Sequence, residues 1–248
     1  MLKKGSAAPK KDGSKRRRKR LGAPDMTLPE HLESEPREKQ VYQAIRQALM
    51  SGALEPGARL SSRSIAESLG VSPMPVREAL KRLEADGIIE SQAKSGFVVR
   101  YLTVAELREI LQIRLHLEGM MVREAALKIP ASAITKIRKL EKLVACAPDI
   151  PTSLARNYEM HFEAYRWASM PETLRIVENI WLRLGPALHH LGGEYTGATS
   201  HHSHSLMIEG LANRNPEAAR EALQQDLTDA ALVMERRLQE LSEHEAPG

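Results

Sequence analysis

Residues 61–99 limit what this chain can fold into more than any other stretch. They read SSRSIAESLGVSPMPVREALKRLEADGIIESQAKSGFVV. Ile65, Ala66 and Leu69 form one apolar helical face, and Gly70 follows where a positive φ is wanted. Val71 is the small apolar residue of a turn, Ser72 an N-cap and Pro73 an N1 residue. Pro75 still lies in the first turn, where no backbone N–H has an intrahelical acceptor. Val76, Ala79, Leu80 and Leu83 line a second helix that Asp86-Gly87 ends. Ile88-Ile89 and Phe97-Val98-Val99 read as two short strands around the tip Lys94-Ser95-Gly96. Upstream, Val41, Ile45 and Leu49 mark an earlier helix, and Leu54, Pro56-Gly57 and Leu60 a linker that covers the core.

The order is that of a winged helix-turn-helix. Such a unit sets the start of its second helix against base edges in the major groove. An arginine placed there can bond bidentately to guanine, and Arg77 is the candidate. The alternative is a solvated arginine paired with a glutamate of its own helix. Arg63 and Lys94 add positive charge to the same small domain.

These residues resemble the GntR family of bacterial transcription regulators. Leu54-Glu-Pro-Gly-Ala-Arg-Leu60 is similar to the family linker and Ser72-Pro-Met-Pro-Val-Arg-Glu-Ala-Leu80 to its recognition helix. Leu83-Glu-Ala-Asp-Gly-Ile-Ile89 and Ser95-Gly-Phe-Val98 resemble the approach to the wing and the wing itself. The resemblance covers about 65 residues. It implies contacts to double-stranded operator DNA from Arg63, Ser72, Arg77, Lys94 and Gly96. Many members carry arginine directly after the turn serine; this chain has Pro73, which removes one element of operator readout.

A length of 248 residues suits two domains. With only 4% aromatic residues, aliphatic side chains must build the cores, as in helical bundles. No apolar run reaches the ~20 residues that cross a membrane. The lone Cys146 allows no intramolecular disulfide and suits a reducing cytoplasm. Residues 1–20 hold ten Lys/Arg against Asp12, a net of +9; the formal +4 of the whole therefore leaves −5 for residues 21–248. That basic arm has the composition of a disordered tail. It is either a solvated extension or an extra phosphate contact that steepens salt dependence. The expected organisation is a disordered arm and linker over 1–33, a winged helix-turn-helix domain over 34–102, a helical domain over 103–241 and a flexible tail over 242–248. The fold class is mainly α, with one small β-hairpin wing.

From Thr103 onward the pattern is helical. Thr103 and Glu106 form a capping box, and Asn215-Pro216 is an N-cap–N1 pair. Six helices are expected, over 103–128, 131–147, 152–169, 172–191, 199–213 and 216–241. Within them lies a polar set. Asn157 and His161 are i, i+4 and share a helix face; His204 and Asp226 lie on later helices. Two imidazoles with oxygen ligands from facing helices suit a divalent metal in a bundle core.

This half resembles the FCD-type effector domain of the FadR subfamily; six helices would match its VanR-like branch, and seven is the alternative. Ile113-Arg-Leu-His-Leu-Glu118, Asn157-Tyr-Glu-Met-His161, His204, Gly210-Leu211 and Pro216-Glu-Ala-Ala-Arg220 carry the resemblance. It implies metal ligands at Asn157, His161, His204 and Asp226. The usual set is one aspartate and three histidines; here the first ligand is asparagine and the last aspartate, so the formal charge of the set stays at −1. Either a divalent site persists, with Zn or Ni favoured over Mg, or the pocket takes an organic ligand alone. The resemblance also places Arg114 near the effector, where its fork can pair with a carboxylate; the alternative is a salt bridge with Glu118. His189-His190 and His201-His202 flank a Gly-rich loop and read as exposed helix ends, with a role as substitute ligands the alternative.

The sequence thus points to a cytoplasmic homodimer that represses transcription and responds to a small metabolite, an organic acid. Two rivals remain: a metal-dependent enzyme with an accessory DNA-binding domain, and a constitutive DNA-binding protein with a dead pocket. Against the enzyme, no phosphate loop, nucleotide fingerprint or nucleophile elbow occurs.

Overall fold

The structure is a computed structural model that describes residues 26–29, 32–92, 96–188 and 198–245. The basic arm, Lys94 and His189-His190 lie outside the described residues.

The first domain is built from α1 (Arg37–Met50), β1 (Arg59–Leu60), α2 (Ser62–Leu69), α3 (Pro73–Ala85), β2 (Ile89–Gln92) and β3 (Gly96–Val99). Val41, Ile45 and Leu49 of α1 meet Val76, Leu80 and Leu83 of α3 in one buried cluster. Gly70 adopts φ 62° and closes α2 as expected. Ser72 holds the N-cap position with extended backbone, but its side chain makes no capping hydrogen bond. A capping hydroxyl bonds the N2 or N3 amide; Pro75 at N3 removes one of those two donors and leaves only that of Met74.

The wing has three strands rather than two. β1 pairs antiparallel with β3 (Arg59 opposite Val98, Leu60 opposite Phe97), giving the order β1-β3-β2. Two residues are too few to show strand alternation, so the sequence conceals β1 within a linker. Gly96 opens β3 at φ +86°, and a Cβ there would lie 2.7 Å from the Leu60 carbonyl oxygen. Only glycine suits both demands.

The second domain contains α4 (Val104–Lys128), α5 (Ala131–Ala145), α6 (Ile150–Tyr165), α7 (Pro171–Leu188), α8 (Ala198–Ala212) and α9 (Pro216–Glu245). The Thr103–Glu106 capping box is present. Glu106 also meets Arg100 at 3.2 Å and Arg183 at 3.7 Å, tying the start of α4 to the end of the wing and to α7. Asp149 caps α6 by accepting from the Thr152 amide at 2.8 Å; this starts the helix two residues before the expected 152. α6 gives way to a 3-10 turn over Arg166–Ala168, closed by Ser169 at φ 59°. α9 runs four residues past the expected end at 241. α4 packs against α6, α7, α8 and α9. No helix of the described residues is long and apolar enough to cross a membrane.

α7 belongs to both domains. Its Leu182 is fully buried in the cluster formed by α1 and α3, and Glu178 reaches Arg46 of α1 at 3.4 Å. A Cβ on Gly185 would lie 2.4 Å from the Leu49 carbonyl oxygen. The two helices therefore touch backbone to backbone. Gly185→Ala should lower stability by about 1–3 kcal/mol through this overpacking. Helix propensity alone favours alanine by about 1 kcal/mol, so a higher melting temperature in a thermal melt would refute the contact.

Candidate DNA-reading face and buried polar cluster

Arg63, Ser72 and Arg77 are all exposed, as is Gly96 at the wing. Neither Arg63 nor Arg77 forms an ion pair among the described residues. Glu78, the nearest acid on α3, is held by Lys81 at 3.3 Å. The N-terminal half of α3 thus presents a guanidinium without an ion pair among the described residues, one turn on from Met74, which is 65% exposed. Met74 went unnoticed in the sequence because proline flanks it on both sides.

The second site lies inside the helical domain. His161 of α6, His204 of α8 and Asp226 of α9 are buried, and one ligand atom from each lies within 4.8 Å of the others. His161 Nε2 is 3.5 Å from one Asp226 oxygen and His204 Nε2 is 3.3 Å from the other. These are ion-pair distances, but the angles make neither a hydrogen bond: both Nε2 atoms are buried without a hydrogen-bond partner, as is His204 Nδ1. Orphaned buried nitrogens of this kind are rare. Two imidazoles and a carboxylate converging without hydrogen-bonding one another suit the donor set of a divalent metal.

Burial disfavours charge on both partners. It lowers the His161 imidazole, leaving it neutral at neutral pH, which is the metal-binding form. It also opposes ionisation of Asp226; positive charge on the side where His204 and His161 approach is what draws that carboxyl below the usual range.

Asn157 is half-buried and lines a cavity with Asp226, Arg114, Trp181, Ser153 and Ser200. The structure therefore brings three of the four expected ligands together and sets Asn157 on the wall beside them. Arg114 takes the salt-bridge alternative and still reaches the cavity. Its Nε donates to Glu118 at 2.6 Å and its second nitrogen at 3.4 Å. The guanidinium lies 4.6 Å from the centre of the Trp181 ring. Tyr165 completes the network, donating to Glu118 at 2.6 Å with its oxygen 3.2 Å from His161 Nδ1. Sequence reasoning missed Tyr165 and Trp181. The i, i+4 spacing of His161 and Tyr165 was the available signal. His201 pairs with Glu141 of α5.

Tyr158 stacks on Phe162 at 4.1 Å and meets Trp181 edge-on. Burial first, then Glu178, pushes its hydroxyl up to about 12 from the usual 10. A raised folded value means stability that is complete below pH 10 and lost as pH rises toward 12. Tyr158→Phe should shallow the loss of stability over that range in denaturant titrations; an unchanged slope would contradict the burial. Tyr165, shifted in the same direction, accounts for part of the remainder.

Residues 37–99 match the family described as bacterial regulatory proteins, gntR family, and residues 109–229 match the FCD domain. The chain is 31% identical over 190 residues to the HTH-type transcriptional regulator McbR of Escherichia coli K12, covering 74% of this chain and 86% of that protein. It is likewise 31% identical over 186 residues to a probable D-xylose utilization operon transcriptional repressor of Paenarthrobacter nicotinovorans, covering 74% and 82%. The solved structure of E. coli McbR/YncC superposes with a TM-score of 0.73 at 27% identity, over 85% of this chain and 99% of that one. The matched families and these relatives are transcription regulators, not enzymes. The chain belongs to the GntR family of bacterial transcription regulators and carries an FCD domain.

Proposed function

We propose that this regulator is a cytoplasmic, homodimeric repressor whose operator affinity is set by a small organic acid bound in the FCD domain. The domain limits are those expected from sequence, 34–102 and 103–241. Arg63, Ser72 and Arg77 contact the operator, with Gly96 and the neighbouring Lys94 at the wing. His161, His204 and Asp226, with Asn157 beside them, hold a divalent metal, Zn or Ni rather than Mg, since imidazole donors suit the former. Such a metal supplies a Lewis-acidic point for a carboxylate, and Arg114 on the same wall orients that ligand. Ile113, Met120 and Leu127 support the dimer: they repeat every seven residues along α4 and are exposed. Such a stripe suits a helix seam between two copies.

The observation that carries the ligand-responsive reading is α7. Its Trp181 packs 5.5 Å from the His161 ring, while the next residue, Leu182, is buried in the DNA-binding domain. The cavity is about 40 Å³, room for a few waters but not for a metabolite. Among the described residues an organic acid is therefore accommodated by widening this cavity, and Trp181 is one of its walls. A ligand that binds the widened state better shifts the population toward it, and α7 carries the displacement to α1.

Fluorescence anisotropy on duplexes tiling the DNA upstream of the gene tests this. One duplex should bind tightly, Arg77→Ala should cost about 1–3 kcal/mol there, and an organic acid from a metabolite screen should change the affinity. Uniform, steeply salt-dependent binding to all duplexes, indifferent to Arg77→Ala, would contradict it.

A further inference from the structure

For a neutral His161 ring, the polar atoms around it leave only one consistent placement of protons. Glu118 is buried and accepts from Arg114 at 2.6 Å. A carboxylate so paired has lone pairs and nothing to donate. Tyr165 has a single hydroxyl proton and lies 2.6 Å from Glu118 Oε2, so that proton goes to Glu118. The Tyr165 oxygen then has only lone pairs to offer His161 Nδ1, 3.2 Å away. Nδ1 must therefore carry hydrogen. In a neutral ring the other nitrogen, Nε2, is then bare. It is this atom that is buried with no hydrogen-bond partner and faces an Asp226 oxygen at 3.5 Å. Two lone pairs so opposed repel unless a cation lies between them.

We propose that Tyr165 and Glu118, anchored by Arg114, are positioning residues that fix His161 as its Nδ1–H tautomer and so present Nε2 as a donor to the metal. The proposal rests on the metal reading above. If Tyr165 pointed its proton at His161 instead, Nε2 would carry hydrogen and could not coordinate. Arg114 thereby has two tasks. It faces the cavity, and through Glu118 it sets the polarity of the chain that ends at the metal ligand. An effector carboxylate that drew Arg114 away from Glu118 would loosen that chain, linking effector occupancy to metal affinity.

The test combines two readouts on the full-length chain. Nitrogen-15 NMR of the metal-free protein reports which His161 nitrogen bears hydrogen, and competition with a chromophoric chelator reports Zn²⁺ affinity. The unsubstituted chain should show Nδ1–H and bind Zn²⁺. Tyr165→Phe, which removes the acceptor, should mix the tautomers and weaken Zn²⁺ about 10–100-fold, the usual cost of losing such a partner, with helical content unchanged by circular dichroism. Should that variant fail to fold, Glu118→Gln serves. Its amide can donate to the Tyr165 oxygen, turning the hydroxyl proton toward Nδ1, so Nε2–H should appear and Zn²⁺ should again weaken. Tautomer and affinity that survive substitution would overturn the positioning role. Nε2–H in the unsubstituted protein would overturn the relay itself, whatever the metal does. Nδ1–H in an unsubstituted chain that binds no Zn²⁺ would instead overturn the metal reading, and the positioning role with it.

Discussion

Two carboxylates inside one helical bundle set the terms for everything around them. Glu118 is completely buried and Asp226 nearly so. An unpaired ion in such a place costs several kcal/mol, so each has to be met. Arg114 and Tyr165 meet Glu118 with hydrogen bonds at 2.6 Å. Asp226 is met from two sides by imidazoles that approach closely without hydrogen-bonding geometry. The first arrangement is hydrogen-bonded throughout, whereas in the second the imidazole nitrogens are left without hydrogen-bond partners, and that asymmetry is why the second reads as a metal site. It also fixes the helices: α4 must present Glu118 to α6, and α6, α8 and α9 must converge on one point.

The DNA-binding domain is attached to this centre through α7. Trp181 on the wall of the cavity and Leu182 in the core of the neighbouring domain are adjacent on one helix, so a displacement of either is felt by the other. The glycine at 185 removes the side chain that would otherwise cushion α1. Backbone contact is stiff, because there is no flexible side chain to absorb a displacement. In the proposed scheme, the small cavity and the stiff contact together turn ligand entry into a mechanical event for the DNA-binding domain.

Much of this was legible in the sequence. The turn around Gly70, the α3 face from Val76 to Leu83 and the Thr103–Glu106 capping box follow from local rules about propensity, capping and periodicity. So does the pairing of Arg114 with Glu118, which share a helix face at i, i+4. What stayed hidden was non-local. β1 has two residues and exists only because β3 lies beside it. Tyr165 and Trp181 look like ordinary core aromatics until α4 and α7 bring Glu118 and Arg114 to them. Gly185, in mid-helix, gives no sign in sequence that Leu49 presses against it from another domain. The ligand set came from family resemblance more than from spacing, since His204 and Asp226 stand on different helices and no local pattern joins them to His161.

A metal centre at His161, His204 and Asp226 is what the proposed regulation turns on. The most direct measurement is anomalous X-ray diffraction at the zinc edge from crystals of the protein prepared with Zn²⁺. The account predicts one strong peak about 2.0–2.2 Å from His161 Nε2, a His204 ring nitrogen and an Asp226 oxygen. Crystals with no peak there, and the two imidazoles instead bonded to Asp226 or to water, would contradict it.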